Sequence, residues 1–336
     1  MKRLLLYILT LLVPTLVVAK TQEQINARSS APVQIGIVKI SESDLAKYRA
    51  QEHVVIPYGV TEINANAFKD CKSLKSISIP NSVTKIGGMA FRNCTSLKEI
   101  TIPNSVTSIG GMAFMNCASL TSVTIPNSVT SIEYGVFQDC TSLTSVTVPY
   151  SVNSIGGNAF SGCTSLKSVT IPHSVTKIED GAFQNCTSLT SITIPNSVTK
   201  IGNRAFQECS LLTNATIGNS VTSIGYKAFE NCTSLTSVTI PYSVTLIGYC
   251  AFYGCVLLRD VTILSSRISI GDLAFDCCTS LDSVYCRAIT PPTGNTDMFR
   301  NNAIGRKIYV PQISVKAYKK AKYWCKYSKY IEGYNF

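Results

Sequence analysis

The chain is poor in the residues that most active-site chemistry uses. Its 336 residues hold two histidines, His53 and His173, and one tryptophan, Trp324. Two isolated imidazoles leave little material for a His-based metal site or an acid/base pair. No Cys-x-x-Cys is present, which removes the usual zinc knuckle and thioredoxin-type motif. Nor is there a His-Glu-x-x-His, a Gly-x-Ser-x-Gly or a Gly-x-x-x-x-Gly-Lys-Ser/Thr sequence. Acidic residues are thinly scattered, so no paired carboxylates are set up for hydrolysis. These absences argue against an enzyme and against any bound cofactor or metal. Charged residues are only 15% while apolar residues reach 45%, which excludes a wholly disordered chain.

Long apolar runs are also missing after the first few residues. Met1-Lys2-Arg3 precedes a mostly apolar stretch from Leu4 to Val18, broken by Thr10, Pro14 and Thr15 and closed by Ala19. A positive head, about 15 apolar residues and a small residue at the end have the form of a secretory signal peptide cleaved after Ala19. The run is short of the roughly 20 residues that span a bilayer. The first cysteine is Cys71, so no lipid-attachment cysteine follows it. The mature chain is expected to be secreted or at the cell surface, with no membrane span of its own.

Positive charge is in excess but unevenly placed. Without Lys2 and Arg3 there are 28 basic and 19 acidic residues; 287–336 holds ten basic residues against Asp297 and Glu332, leaving 18 against 17 for residues 20–286. A nucleic-acid-binding groove along the chain needs basic charge throughout, so no nucleic-acid partner is expected.

What the sequence has in abundance is repetition. Residues 57–286 divide into ten blocks of 23 without insertion or deletion. Phenylalanine recurs at 68, 91, 114, 137, 160, 183, 206, 229, 252 and 275; cysteine follows three residues later each time, and leucine three after that. A solenoid demands such phase, because each coil lays its apolar positions on those of the next. Within a block, Leu97-x-x-Ile100-x-Ile102 alternates as a short strand and is cut off by Pro103, which lacks an amide donor. Val106-x-x-Ile109 reads as a second extended piece, and Gly110-Gly111 as a sharp turn. Ala113-Phe114-x-x-Cys117 then brings the chain back to Leu120. Eight inward positions per coil make a continuous apolar column, each large side chain contributing roughly 1.5–3 kcal/mol on burial.

The pattern Leu-x-x-Ile/Val-x-Ile-Pro-x-Ser-Val-x-x-Ile-Gly-x-x-Ala-Phe-x-x-Cys resembles the BspA-like class of leucine-rich repeats, found in bacterial surface and secreted proteins, over all ten blocks. The resemblance implies a right-handed superhelical solenoid with a parallel β-sheet on one curved face, used for binding or adhesion. Departures cluster late: Ala215, Gly218, Leu264, Arg267 and Cys286 replace pattern residues, and irregular packing is expected there.

Caps must close the ends of the column. The expected division is signal peptide 1–19, N-terminal cap 20–56, array 57–286 and C-terminal cap 287–336. In the front cap, Gln34 to Ile40 reads as a strand and Ser43 to Ala50 as a short helix capped by Ser43. In the back cap, Lys307 to Pro311 reads as a strand. A helix capped by Ser314 then runs to about Lys322, burying Val315, Tyr318 and Ala321, with Trp324 and Ile331 as further anchors.

Ten of the 14 cysteines share one inward column and are expected as free buried thiols, acting as small hydrophobes. Side chains in register point the same way rather than toward each other. A bridge among Cys250, Cys277, Cys286 and Cys325 is left open. Asn93, Asn185 and Asn231 begin glycosylation sequons that the repeat itself generates.

The outward strand positions are the candidate partner-binding surface. One file holds Thr101, Thr124, Thr147, Thr170, Thr193, Thr216, Thr239, Thr262 and, at its end, Tyr285. A neighbouring file is mainly serine, from Ser76 to Ser283. Threonine is also simply a good exposed strand residue, so the face as a whole is the candidate. Tyr226 and Tyr249, one period apart, are expected side by side, with Tyr242, Tyr253 and Tyr285 nearby as contact aromatics. Tyr58, Tyr150 and His173 share the position of Tyr242 and are expected in solvent. The expected partners are extracellular proteins, including host matrix or partner-cell surface proteins. The alternative is a carbohydrate or other ordered surface read by the Ser-x-Thr files.

Overall fold

The computed structural model describes residues 38–40, 48 and 50–336, all within one compact unit, Ile37–Phe336. The expected signal peptide, the start of the first strand and the Ser43 cap lie outside the described residues.

Each 23-residue block forms one coil of a parallel solenoid with a strand in each of two files. The first file runs through segments such as Ser122–Thr124 and Ser145–Thr147, which pair in parallel with Ser122 opposite Ser145 and Thr124 opposite Thr147. The second extended piece also pairs: Ser131–Ile132 to Ser269–Ile270 form their own seven-stranded parallel sheet. Strands stay short because in most coils a Pro-x-Ser-Val turn follows the first file and a glycine the second, Asn64, Glu133 and Glu179 replacing the glycine in three. The return segments are bonded too. Met89, Phe91 and Asn93 donate their amides to Gly111, Ala113 and Met115 of the next coil at 2.7–3.0 Å. All three sides of a coil are therefore laced to its neighbour.

The inward set is the expected one. In the block beginning at Pro103, Val106, Ile109, Ala113, Phe114, Cys117, Leu120, Val123 and Ile125 are all buried. The phenylalanines stack face to face, ring centroids 5.1–5.5 Å apart from Phe68 to Phe275. Hydrogen-bonded strands repeat at about 4.8 Å. Ladder thiols from Cys94 onward form no disulfide and donate backwards: Cys117 Sγ lies 3.2 Å from the Phe91 carbonyl, and Cys140 Sγ 3.2 Å from that of Phe114.

The glycine pair has a different role from the one expected. Gly110 does not turn the chain through a positive φ; a Cβ there would sit 2.4 Å from the Gly88 nitrogen of the preceding coil. It permits close stacking. The left-handed residues come later, at Met112 (φ 58°) and Asn116 (φ 60°), the second an amino acid that tolerates that region.

Packing does not loosen in the late blocks. The Phe206–Phe229, Phe229–Phe252 and Phe252–Phe275 pairs are all at 5.1 Å. Arg267 does not enter the core; it is exposed, and Ile268 takes the inward seat. Cys286 is buried against the Tyr318 hydroxyl at 3.2 Å.

Both parallel ladders run beyond the ten regular blocks. At the front, Val38–Ile40 pairs with Val60–Ile63 and His53–Val55 with Ser76–Ser78, while the Tyr48 ring packs on Phe68 at 5.3 Å. At the back, Lys307–Pro311 joins Ser283–Cys286 and then Ile331–Tyr334. The helix covers Val315–Lys320 and follows a 3-10 turn, Gln312–Ser314. Ser314 is not a side-chain cap: it has helical φ/ψ and its buried hydroxyl is without a hydrogen-bond partner. Tyr318 and Trp324 are fully buried, Val315 and Ala321 partly so. Among the described residues no helix is long and apolar enough to cross a membrane.

Candidate partner-binding surface

Alternation along each first-file strand turns its central residue inward and its flanking residues out. Thr101, Thr124, Thr147, Thr170, Thr193, Thr216 and Thr239 are exposed; Thr262 is half-buried. Register brings them side by side, Thr193 opposite Thr216, Thr239 opposite Thr262, and Thr262 opposite Tyr285. Thr101 and Thr170 fall just outside the paired segments Glu99–Ile100 and Ser168–Val169. The sheet is interrupted there, and a shallow groove of about 580 Å³ opens beside Thr101 and Thr124.

The hydroxyls of this molecule divide into two populations. Those at the turn and flank positions are used between coils: Ser105 Oγ donates to the Val83 carbonyl at 2.6 Å, Thr144 Oγ1 to Thr121 at 3.1 Å, Thr222 Oγ1 to Thr199 at 3.0 Å. Among the described residues, none of the eight threonines in the outward file makes a side-chain hydrogen bond. β-Branching holds each in position, and the backbone ladder adds to this for all but Thr101 and Thr170; their donor and acceptor capacity is turned to solvent.

The tyrosines do not form one patch. Tyr226 and Tyr249 stack at 5.7 Å as expected, with Arg204 and Lys227 over the Tyr226 ring. Both belong to return segments, as does Tyr253. Tyr242 is exposed at the turn after the Ser237–Ile240 strand, as are Tyr58, Tyr150 and His173 at theirs. Tyr285 stays on the strand face, stacked on Tyr309 at 4.9 Å and edge-on to Tyr334 at 5.6 Å. Tyr309 was open to sequence reasoning, being the outward residue of the Lys307–Pro311 strand. Tyr334 was not, because no repeat announces its strand. Among the described residues no group of three or more His, Cys, Asp or Glu is arranged to hold a metal ion.

A laced parallel solenoid of 23-residue coils with leucine, phenylalanine and cysteine in register is the architecture of a leucine-rich-repeat protein. The BspA type leucine rich repeat region matches residues 38–166, 130–230 and 200–329, and the chain belongs to that family. A leucine-rich repeat protein from Bacteroides ovatus is similar at 25% identity and a TM-score of 0.66, over 84% of this chain and 92% of that one. A leucine rich cell surface protein from Faecalibacterium prausnitzii is 31% identical over 70% of this chain and 88% of its own, with a TM-score of 0.37. The pneumococcal vaccine antigen PcpA shares the fold at 22% identity and a TM-score of 0.51, over 84% and 78%. No curated protein matched the sequence.

Proposed function

We propose that the protein is a non-catalytic binding module of the cell exterior that holds extracellular protein partners against the strand face of its array. Host matrix proteins or proteins of a partner cell are the class of ligand this reading names. The observation that carries it is the file of outward threonine hydroxyls with no hydrogen-bond partner among the described residues, most of them mounted on a backbone ladder. A preformed face lowers the ordering cost of association, and solenoids present such faces for recognition. The family, one of bacterial surface and secreted proteins, supports the location.

The test is a pull-down of the mature chain against extracellular-matrix components, beside a variant carrying Thr170→Lys, Thr193→Lys and Thr239→Lys. The variant should keep its melting temperature and lose the partner. Binding that survives all three changes places the contact elsewhere.

A further inference from the structure

A groove of about 910 Å³ opens where the last regular coils meet the tail. Its apolar walls are open to water, with Tyr242, Ile289 and Ile313 keeping 65%, 64% and 81% of their surface and Tyr334 and Phe336 44% each. Arg267 and Arg287 also line it. Arg287 donates toward the Tyr242 hydroxyl at 3.4 Å and lies 5.3 Å from the centre of the Phe336 ring. Among the described residues neither arginine has an ion pair, and no Asp, Glu or Lys side chain lines the groove.

Single exposed apolar residues need no explanation, but this combination is specific. Aromatic residues and arginine present, with lysine and acids absent, is the composition of the centre of a protein interface rather than of ordinary surface. Two guanidiniums without a counter-charge leave the complementary group to the ligand, and arginine's planar fork suits a carboxylate.

We propose that this groove docks an extended acidic peptide segment of a partner protein. Arg267 and Arg287 take a carboxylate, and the flanking apolar side chains lie against Tyr242, Ile289 and Phe336. The groove uses none of the outward threonines, so this proposal and the strand-face reading fail separately.

The probe is a fluorescein-labelled peptide, Leu-Asp-Phe-Glu-Leu-Asp-Phe, with a twin carrying Asn and Gln in place of the acids, titrated with the full chain by fluorescence anisotropy. The acidic peptide should bind, and the amide twin about tenfold or more weakly, as expected for loss of charge-assisted bonds. Arg267→Gln with Arg287→Gln should produce the same loss. Ile289→Glu, which brings a carboxylate of the protein's own to the arginines, should do so independently. All three positions are exposed, so an unchanged melting curve verifies the fold. The Thr170, Thr193 and Thr239 lysine variant should bind the peptide as before. The proposal falls if the acidic peptide does not bind, if the two peptides bind alike, or if the arginine variants bind unchanged. It falls equally if soluble dextran sulfate binds through these arginines and the acidic peptide does not.

Discussion

Phe299 stacks on Phe275 with ring centroids 5.5 Å apart and planes 11° from parallel, although 24 residues rather than 23 separate them. The extra residue can be located. Cys286 still pairs with Ile263 at the regular offset, whereas Thr293 already bridges to Ser269 at the longer one, so the insertion lies between 286 and 293. Beyond it the tail repeats the coil with other residues. Met298 takes the alanine seat, and Asn302 Nδ2 donates to the Phe275 carbonyl at 2.7 Å, the bond that Cys278 Sγ makes to Phe252. Trp324 and Tyr327 then close the aromatic column at 6.0 and 5.6 Å from Phe299.

Thiol accessibility follows from this packing. Cys325 is exposed and Cys277 half-exposed, while the ten ladder cysteines are fully buried. A chromogenic disulfide reagent at pH 8 should modify Cys325 quickly and Cys277 more slowly in the native chain. The ladder should react only after denaturation. Rapid native modification of any ladder cysteine would show that the column opens.

Alkaline pH should unfold the protein. Burial pushes the thiols of Cys140, Cys209 and Cys255 up from 9.0 to about 12, and those of Cys117, Cys163, Cys186, Cys232 and Cys278 well above 9.0. Native thiols keep protons that the unfolded chain releases above pH 9. Stability is therefore complete below about 9 and falls as pH rises toward 12, by at most about 1.4 kcal/mol per thiol per pH unit. Urea midpoints measured from pH 8 to 10.5 should drop steeply, and Cys140→Ala should flatten the slope.

Close stacking at the glycine files is testable by pairing two substitutions. Gly110→Ala places a methyl group 2.4 Å from the Gly88 nitrogen, against backbone that cannot swing aside. It should cost about 2 kcal/mol or more, in the range of core overpacking. At Gly111 the nearest atom is the Tyr134 carbonyl oxygen at 3.2 Å, so alanine there should cost clearly less. Denaturant titration of the two variants decides it.

Asp276 anchors the lengthened coil. It is fully buried and accepts from Arg300 at 2.7 and 3.2 Å, from Asn301 Nδ2 at 3.1 Å and from the Cys277 amide at 2.8 Å. Arg300→Ala, which leaves the buried carboxylate with only its Asn301 and Cys277 donors, should lower the urea midpoint. Asp276→Ala should cost a similar amount and the double variant less than the sum. Strict additivity in a double-mutant cycle would show that the two side chains do not act together.

Periodicity made the solenoid, its inward column and the outward threonine file readable from the sequence, because one residue type per seat is repeated until no other alignment exists. Substitution at a seat hid the rest. The coil at Phe299 was obscured by one inserted residue and by Asn302 in a cysteine's place. The inward role of Ile268 was obscured because a fixed 23-residue frame assigns the seat to Arg267. Tyr242 and Arg287 are 45 residues apart and meet only through the winding of the chain, so the groove left no linear trace. The reason for Gly110 was equally hidden: crowding by the preceding coil is a property of stacking, not of a local dihedral preference.

Lacing on every side of the coil has a mechanical consequence. The bonds between neighbouring coils run along the solenoid axis, so a pull on the two ends loads the junctions in series. The weakest yields first and pays out its 23 residues, about 80 Å of slack at roughly 3.5 Å per residue, while the remaining coils stay folded. A solenoid built this way yields coil by coil under load instead of all at once.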